Sequence, residues 1–294
     1  MLGSFTGGTL NVIHSIEIEE GKYWEVQPSL PLRSYIRKYY FTEGFSAYKN
    51  IDIHPVGKES IEMHFHYGSN GFDVFDFQLN DFKERRAYVV GNQPFDKLYK
   101  TRIIEELAML SVEFTNLGVL CLLHCSPVDL YEHIPDVDDA FGPAYKHLLK
   151  QILEAKSYMD KLRVVELFFM KTLNPDHGLQ PNEKDILKYL DDNECNTVDE
   201  ICSSLGISHR TVERVFASRL GLRPKEYLRI KRLNKACEML INYPEISISD
   251  IINDCNYYDQ SHFIREFRNL IKKSPLKYLK DVNGLFYFGR GYVL

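Results

Sequence analysis

The last third of the chain repeats one pattern of apolar and polar positions. Four apolar residues lie at i, i+3, i+4 and i+7, and the same spacing returns fifty positions later. Such spacing places apolar side chains on one face of a short helix. The sequence therefore predicts two similar short helices, each with one buried face. The two sets are Val198, Ile201, Cys202 and Leu205, and Ile248, Ile251, Ile252 and Cys255.

Both helices start with a capping-box sequence, which is Thr197 with Glu200 in the first copy and Ser247 with Asp250 in the second. The side chains of such a box accept hydrogen bonds from backbone amides that the first turn of a helix leaves unpaired. The local sequence therefore predicts where each helix begins.

A second helix is predicted after a turn in each copy. Apolar and basic positions recur there with the same spacing, now offset by fifty-one residues because the second turn is one residue longer. The apolar positions match while the polar positions between them differ, which suits two similar cores with different outer surfaces. Each copy is thus predicted to be a helix-turn-helix. The matching positions are Val212, Arg214, Phe216, Pro224, Tyr227 and Leu228, and Phe263, Arg265, Phe267, Pro275, Tyr278 and Leu279.

The segments 197–240 and 246–279 resemble the DNA-binding domain of the AraC/XylS family of bacterial transcription regulators. The most specific stretch is DQSHFIREF, which is followed by Ser274 and Pro275 and resembles the family signature in its second helix-turn-helix. Two positions depart from the family, because Asn256 and Lys272 stand where it usually has Gly. Asn enters the left-handed backbone region at modest cost, and Lys enters it less readily.

The resemblance implies that the chain binds double-stranded DNA through the second helix of each copy. In base recognition Arg suits guanine, Gln suits adenine, Glu accepts from cytosine and Ile meets a thymine methyl group. A connecting helix is predicted from Pro224 to about Ile241 and spans about 27 Å at 1.5 Å per residue. With the flanking units, this length suits two successive major grooves about 34 Å apart. The positions that the resemblance assigns to base contacts are Arg210, Glu213, Arg214, Gln260, Ser261, Ile264 and Arg265.

The charge of the chain changes sign between its two parts. The net charge is -5, but residues 1–182 carry 18 Lys and Arg against 25 Asp and Glu, whereas residues 183–294 carry 18 against 16. Within 203–235, nine basic side chains accompany only Glu213 and Glu226. This cluster predicts a phosphate-binding footprint, although a solvated basic helix face gives the same pattern. The nine are Arg210, Arg214, Arg219, Arg223, Lys225, Arg229, Lys231, Arg232 and Lys235.

The first part of the chain is predicted to be β-rich. Alternating or β-branched runs broken by Gly, Asn and Pro predict strands at 12–18, 61–67, 72–79, 87–90 and 107–114. Between Leu117 and Leu173 the apolar period becomes helical, which predicts a helical pair. The fold class is therefore α+β: a β-rich domain with a helical pair, followed by an all-α domain with two helix-turn-helix units joined by a long helix.

The segment PDHGLQPN at 175–182 combines Pro, Gly and polar residues and marks the predicted domain boundary. The predicted organisation has four parts. They are a sensor and dimerisation domain over 1–175, a linker over 176–182, the double helix-turn-helix domain over 183–283 and a C-terminal tail over 284–294.

The family resemblance also implies a role for the first domain, because members often carry a cupin-like effector-binding or dimerising domain at this place. The stretch QPSLPLRSYIRKYYF and the FGPAYKHLL region are similar to an N-terminal module of a subset of these regulators. Phe114 is followed by Thr115 and Asn116 instead of the usual Pro-Gly turn. The implied partners are a small-molecule effector, a second copy of the chain and RNA polymerase. The faces predicted to pair in a dimer include Leu162, Val165, Phe168 and Phe169.

One group of side chains in the first domain has metal-ligand chemistry. Glu62, His64 and His66 share a face of the strand predicted at 61–67, because side chains alternate along a strand, and His54 lies upstream. Two imidazoles and a carboxylate suit a divalent transition metal. A polar strand face or the lining of an effector pocket explains the same residues without a metal, so none is assigned. The alternative function is a metal-binding cupin-like enzyme that carries a DNA-binding domain.

A second group, Cys121, His124 and Cys125, is predicted to belong to the core, because Leu117 and Leu120 share a helix face with Cys121 and His124. The sequence contains no phosphate-cradling Gly loop, nucleophile elbow or deaminase-type His and Cys pattern. No catalytic residue and no cofactor is therefore assigned. The start of the chain lacks the features of a signal peptide, and no run is long enough to span a membrane. We therefore expect a cytoplasmic protein that is not an enzyme.

Overall fold

The structure is a computed structural model of the 294-residue chain. Its description covers residues 12–18, 21–44, 51–53, 61–68, 72–76, 81–91, 99–103, 106–125, 130, 136–137, 141–175, 178–243 and 245–282. His54 and the tail 284–294 lie outside the described residues.

Two antiparallel sheets make up the first part of the chain. One has the strand order β1-β2-β3-β10-β5-β8 and the other has the order β4-β9-β6-β7. The strands are β1 (Val12–Ile18), β2 (Gly21–Val26), β3 (Ile36–Gly44), β4 (Ile51–Ile53), β5 (Ile61–His66), β6 (Phe72–Asp76), β7 (Asp81–Arg85), β8 (Ala87–Val90), β9 (Tyr99–Ile103) and β10 (Leu107–Phe114).

The six-stranded sheet has one apolar and one polar face, because side chains alternate along each strand. The apolar face packs against helices α2 (Pro143–Glu154) and α3 (Tyr158–Thr172) and forms the first core. For example, the rings of Phe114 and Phe169 meet edge-on with centroids 5.4 Å apart. The strand residues of this core include Tyr39, Phe41, Met63, Phe65, Leu110 and Val112, and the helix residues include Tyr145, Leu148, Ile152, Leu162 and Val165.

Helix α1 follows β10 and belongs to two cores at once. It consists of the α-turn Asn116–Gly118 and the π-helical turn Val119–Leu123, and Thr115 caps its start by accepting from the Gly118 amide at 2.9 Å. Val119, Leu122 and Leu123 pack in the first core. Leu117, Leu120 and Cys121 pack in a second core that is otherwise built from the C-terminal helices.

The C-terminal part is all helical over its described residues and has two further cores. The second core joins α4 to the first helix-turn-helix, and the third core joins α7 to the second helix-turn-helix. Pro stands at the first position of α4, α7 and α10, where its missing amide costs nothing. The helices are α4 (Pro181–Asp192), α5 (Val198–Leu205), α6 (His209–Val215) with the π-helical turn Phe216–Leu220, α7 (Pro224–Asn242), α8 (Ile248–Asp254), α9 (Gln260–Ile271) and α10 (Pro275–Val282).

The fold class predicted from the sequence is confirmed. The five predicted strands correspond to β1, β5, β6, β8 and β10, and the connecting helix α7 has 19 residues against the roughly 18 expected. Strands β2, β3, β4, β7 and β9 were not predicted. Leu117, Leu120 and Cys121 are core residues as predicted. His124 is exposed, because α1 ends at Leu123 and His124 itself adopts the left-handed conformation with φ 56.

Candidate nucleic-acid interface

The second helix of each unit, here called a reading helix, is α6 in the first unit and α9 in the second. Gly206 ends α5 at φ 65, a left-handed conformation that favours Gly. Ser208 then caps α6 by accepting from the Thr211 amide at 3.3 Å. The predicted cap of α5 is also present, since Thr197 accepts from the Glu200 amide at 3.2 Å. The Glu200 carboxylate accepts from the amide of Asn196 instead of Thr197.

The second unit makes the same turn with different residues. Asn256 has φ 53 and Lys272, at the end of α9, has φ 59, so both departures from the family's Gly adopt the left-handed conformation. Asp259 caps the reading helix α9 by accepting from the His262 amide at 2.7 Å. Ser247 accepts from the Asp250 amide at 3.1 Å and caps α8 as predicted.

Six of the seven side chains predicted to contact bases are exposed on the reading helices. Ile264 is the exception, because it is half-buried and packs against the third core. The structure therefore presents two groups of polar side chains, one on each reading helix. They are Arg210, Glu213 and Arg214 on α6, and Gln260, Ser261 and Arg265 on α9.

The nine basic side chains at 203–235 do not form one free footprint, which corrects the prediction. Lys231 donates to the carbonyl oxygens of Leu190 and Asn193, both at 2.9 Å, and so caps the end of α4. Four ion pairs engage other members of the cluster. Arg219 pairs with Glu183 at 2.9 Å, Lys235 pairs with Glu194 at 2.6 Å, and Arg229 and Arg232 each pair with Glu266 at 2.9 Å. The sequence could not show these pairs because their acidic partners lie outside the cluster. The remaining members, all exposed, are Arg210, Arg214, Arg223 and Lys225.

A groove of about 1240 Å³ lies between the first unit and helix α7. Arg223 and Lys225 line it together with His209 and Glu213 of the reading helix. At its edge, Nε2 of His209 lies 2.8 Å from a carboxylate oxygen of Asp199. A concave surface with exposed basic side chains suits a phosphate backbone.

Glu266 joins the second unit to the connecting helix, and sequence reasoning missed this role. Its side chain is only 6% exposed and accepts from Arg229 Nε and Arg232 Nη2, both at 2.9 Å. The guanidinium of Arg232 also lies 4.7 Å from the ring centroid of Tyr257. The pairing with Glu266 raises the pKa of Arg232, against the opposing effect of its burial. These contacts fix the orientation of α9 relative to α7. The only sequence signal was a carboxylate inside an otherwise apolar helix face.

In the first domain the polar face of the six-stranded sheet is buried. The prediction that Glu62, His64 and His66 share a face is confirmed by their register against β10. His64 Nδ1 lies 2.8 Å from the Ser111 hydroxyl and its Nε2 lies 3.5 Å from Glu62, which also accepts from Tyr40 at 3.0 Å. The face carries Tyr23 and Glu25 from β2, Lys38, Tyr40 and Thr42 from β3, Glu62, His64 and His66 from β5, Tyr88 from β8, and Ser111 and Glu113 from β10.

Of the three candidate ligands on β5, Glu62 and His64 lie in one polar network with Tyr40 and Ser111. Burial, with smaller effects from His64 and Arg86, lowers the pKa of His66 to about 3, so this imidazole is neutral at physiological pH. Within the described part of the chain, no three His, Cys, Asp or Glu side chains are grouped as metal ligands would be. The cluster is thus a buried polar surface of donors and acceptors.

The helical pair does not present the dimer face predicted from the sequence. Leu162, Val165 and Phe169 are buried in the first core, and Phe168 packs against it. The large apolar residues that these helices expose are different ones, namely Leu153, Leu167 and Met170. The prediction of a dimer face was wrong because apolar periodicity identifies the apolar face of a helix but not whether the same chain or a second copy covers it.

Comparisons with a family model and with curated proteins find matches for part of this chain. A family model described as a helix-turn-helix domain matches residues 201–281. The HTH-type transcriptional activator RhaS of Escherichia coli O1:K1 is 34% identical over 92 residues, which cover 31% of this chain and 33% of RhaS. RhaS of Escherichia coli O157:H7 gives the same figures. The chain thus matches about a third of the length of these curated relatives.

Among solved structures, unsaturated fatty acid-bound ToxT from Vibrio cholerae strain SCE256 is similar at a TM-score of 0.44 and 14% identity, covering 84% of this chain and 96% of that chain. No helix in the described part of the present chain has both the length and the apolar character of a membrane span. The family match, the identity to RhaS and the two capped helix-turn-helix units on one connecting helix all concern the same residues. Residues 201–281 are therefore a helix-turn-helix domain of the AraC/XylS type.

Proposed function

We propose that this protein is a sequence-specific transcription regulator that binds double-stranded DNA with both reading helices. The observation that supports the proposal best is the pair of capped reading helices with exposed polar side chains at the two ends of one 19-residue helix. Such a helix is about 28 Å long at 1.5 Å per residue. The flanking units add to this length, which lets one chain reach two successive major grooves about 34 Å apart.

The exposed side chains of the reading helices are the proposed base contacts. Arg214 and Arg265 occupy matching positions in the two units, and each can donate two hydrogen bonds to a guanine. Gln260 and Ser261 lie in the first turn of α9, where the amide of Gln260 suits adenine. Arg223 and Lys225, which line the groove beside the first unit, are the proposed phosphate contacts.

We propose that the N-terminal domain is a sensor without enzymatic activity, whose ligand is a small molecule bound at the polar face of the six-stranded sheet. That face offers hydroxyl, imidazole, ammonium and carboxylate groups in one buried layer. A ligand changes DNA binding only by its different affinities for the two arrangements of the protein. The proposed domain division over 1–175 and 183–283 keeps the two functions on separate parts of the chain.

A second copy of the chain and RNA polymerase are further proposed partners. The exposed apolar residues Leu153, Leu167 and Met170 offer a surface on α2 and α3 for self-association. RNA polymerase is the machinery on which a regulator of this type acts when it is bound at a promoter.

Selection of bound duplexes from a random pool tests the proposal. The purified full chain should enrich an asymmetric site about 15–20 base pairs long that covers two successive major grooves. Its affinity for that site should exceed its affinity for bulk DNA by at least about tenfold and should fall steeply with salt. Failure to enrich any sequence would contradict the regulator function. A variant with both Arg214→Ala and Arg265→Ala is the matched control and should lose the enrichment while it stays folded.

A further inference from the structure

The junction between the two domains contains a buried carboxylate. Asp191, near the end of α4, has a side chain that is only 6% exposed. Its Oδ1 accepts from the Asn116 amide at 3.1 Å and from the Asn116 side-chain Nδ2 at 2.8 Å, and its Oδ2 accepts from the Leu117 amide at 3.5 Å. Asn116 also donates to the Tyr227 hydroxyl at 3.2 Å. The first turn of α1 is thereby tied to α4 and to the start of the connecting helix.

Apolar contacts accompany this polar junction. Leu117, Leu120 and Cys121 of α1 are packed among the residues of the second core. Cys121 also accepts a backbone hydrogen bond at its carbonyl from Asn174, at 2.9 Å. A displacement of α1 therefore changes the surroundings of the first helix-turn-helix directly.

Arg37 links Asp191 to the polar face of the sheet. Its Nη2 lies 3.4 Å from Asp191 Oδ1, and its Nε lies 3.4 Å from Glu113 Oε1. The register explains this double contact, because Glu113 is paired with Lys38 and Phe114 is paired with Ile36, which leaves Arg37 as the extra residue of a bulge. A bulge turns a side chain away from its regular direction.

The network continues on the polar face. Glu113 is only 2% exposed, and its Oε2 lies 3.8 Å from Lys38 Nζ. Lys38 also pairs with Glu25, which accepts from the Tyr23 hydroxyl at 2.7 Å. A chain of charged contacts therefore runs from the interior of the first domain through Arg37 to the junction.

We propose that Asp191 latches the DNA-binding domain to helix α1, and that Arg37 passes rearrangements of the polar sheet face to this latch. The proposal rests on the proposed function, because it assigns the regulation of the same DNA-binding domain. The buried carboxylates of Glu113 and Asp191 share the guanidinium of Arg37. Movement of Glu113 therefore shifts the positive charge that faces Asp191. Loss of one partner of a buried charge pair leaves the other charge buried without compensation, which destabilises the structure around it. The contact between Arg37 and Asp191 should therefore respond to changes at Glu113.

Amide hydrogen exchange of the full chain tests the latch without DNA or effector. Asp191→Ala should accelerate exchange at the amides of Asn116 and Leu117 by at least about tenfold, because both amides lose their acceptor. Asp192→Ala, a change at the neighbouring exposed carboxylate, should leave these amides within about twofold of the unmodified protein. Asp191→Asn serves if the alanine variant does not fold, and it should give a smaller acceleration because one oxygen still accepts. The latch is wrong if neither Asp191 variant changes the exchange of these two amides.

The transmission step needs a second comparison. Glu113→Gln should accelerate exchange at Asn116 and Leu117 by at least about threefold in the unmodified protein, and by much less in an Arg37→Gln background. Glu106→Gln, at the opposite end of β10, is the control and should have no effect. An equal acceleration in both backgrounds, or none in the first, would overturn the role of Arg37. Enrichment of DNA by the same proteins is scored separately, so loss of the latch and loss of DNA recognition give different results.

Discussion

Glu266 Oε1 lies 2.9 Å from Arg232 Nη2 and thereby joins the second reading helix to the helix that connects the two units. Arg229 donates to the other carboxylate oxygen at 2.9 Å. The angle between α7 and α9 thus depends on one buried carboxylate and two basic side chains. This angle must be fixed if both reading helices are to enter grooves of the same duplex.

Glu266→Ala should lower the free energy of unfolding by about 2 kcal/mol and weaken DNA binding. The expected cost is less than that of a fully buried pair, because Arg232 and Arg229 are 21% and 39% exposed and can be solvated after the change. Urea denaturation and fluorescence anisotropy with a selected duplex measure the two effects. Glu245→Ala, at an exposed position of the loop before α8, is the control. Unchanged stability in the Glu266 variant would contradict the structural role of this pair.

Arg214→Ala and Arg265→Ala should each cost about 1–3 kcal/mol of binding free energy and relax specificity at one position of the site. Arg223→Ala and Lys225→Ala should instead weaken binding to all DNA sequences alike. Each should also reduce the salt slope, which is the slope of the logarithm of the binding constant against the logarithm of the salt concentration, by about one. Affinities for a panel of single-base variants of the selected site separate these results. A uniform loss across the panel for all four variants would contradict the assigned reading roles.

Lys231→Ala should destabilise the fold and leave the salt dependence of DNA binding unchanged. The Lys231 ammonium donates to two carbonyl oxygens at the end of α4, so its loss should cost about 1 kcal/mol of stability. Lys188→Ala, at an exposed position of α4, provides the comparison and should be nearly neutral. If Lys231→Ala lowered the salt slope of DNA binding without affecting stability, phosphate contact would be its role.

Asp191 should make stability depend on pH in a defined direction. Burial raises the pKa of Asp191 to about 6 from an ordinary 3.8, and Arg37 and the amides of Asn116 and Leu117 oppose this rise. Because the folded pKa exceeds the unfolded one, the folded state binds the proton more tightly. The contribution of Asp191 to the free energy of unfolding should therefore fall as pH rises from about 4 to about 6 and stay constant above it.

The loss should amount to at most about 3 kcal/mol, since each unit between the two pKa values corresponds to about 1.4 kcal/mol. Urea denaturation of the unmodified protein and of Asp191→Asn between about pH 4 and pH 8 measures this contribution as a difference. Two parallel pH profiles would show that Asp191 does not titrate in this range.

Leu167→Glu and Met170→Glu should disrupt a homodimer while leaving the fold intact, because both side chains are exposed on α3. Phe169→Glu should instead prevent folding, because Phe169 is fully buried in the first core. Sedimentation of the full chain gives the oligomeric state, and circular dichroism checks the fold. A monomeric unmodified protein at about 100 μM would exclude a dimer of useful affinity, because a Kd of 10 μM needs only about -7 kcal/mol.

The sequence predicted the C-terminal domain more completely than the first domain, and the reason is physical. Periodicity, capping boxes and the Pro positions are local signals, and the C-terminal helices are short-range structures that follow them. Strand β3 was missed because its residues 39–42, Tyr-Tyr-Phe-Thr, are buried on both faces and so show little alternation. The pairing of Glu62, His64 and His66 on one face was predictable, since alternation alone decides it.

Contacts between distant parts of the chain could not be predicted. Arg37 and Asp191 are 154 positions apart. Arg37 lies in the stretch QPSLPLRSYIRKYYF, but nothing in that stretch points to Asp191 as its partner. Lys231 and Arg232 likewise donate to acceptors that only the fold brings near them. The sequence shows the charge of each basic side chain but not the group that it pairs with. For this reason the basic cluster predicted a larger phosphate-binding footprint than the surface offers.

Helix α1 also limits how this protein can be divided and recombined. A chimaera that joins its first domain to the C-terminal half of another regulator at the loop before α4 would still carry Leu117, Leu120 and Cys121, whose packing partners would be foreign. Conversely, the C-terminal half expressed alone would lack three side chains of its own core. The domain boundary along the chain, near residue 178, therefore does not coincide with the boundary between the packed cores. A C-terminal domain that is exchanged between proteins has to be paired with an α1 whose side chains fit its core.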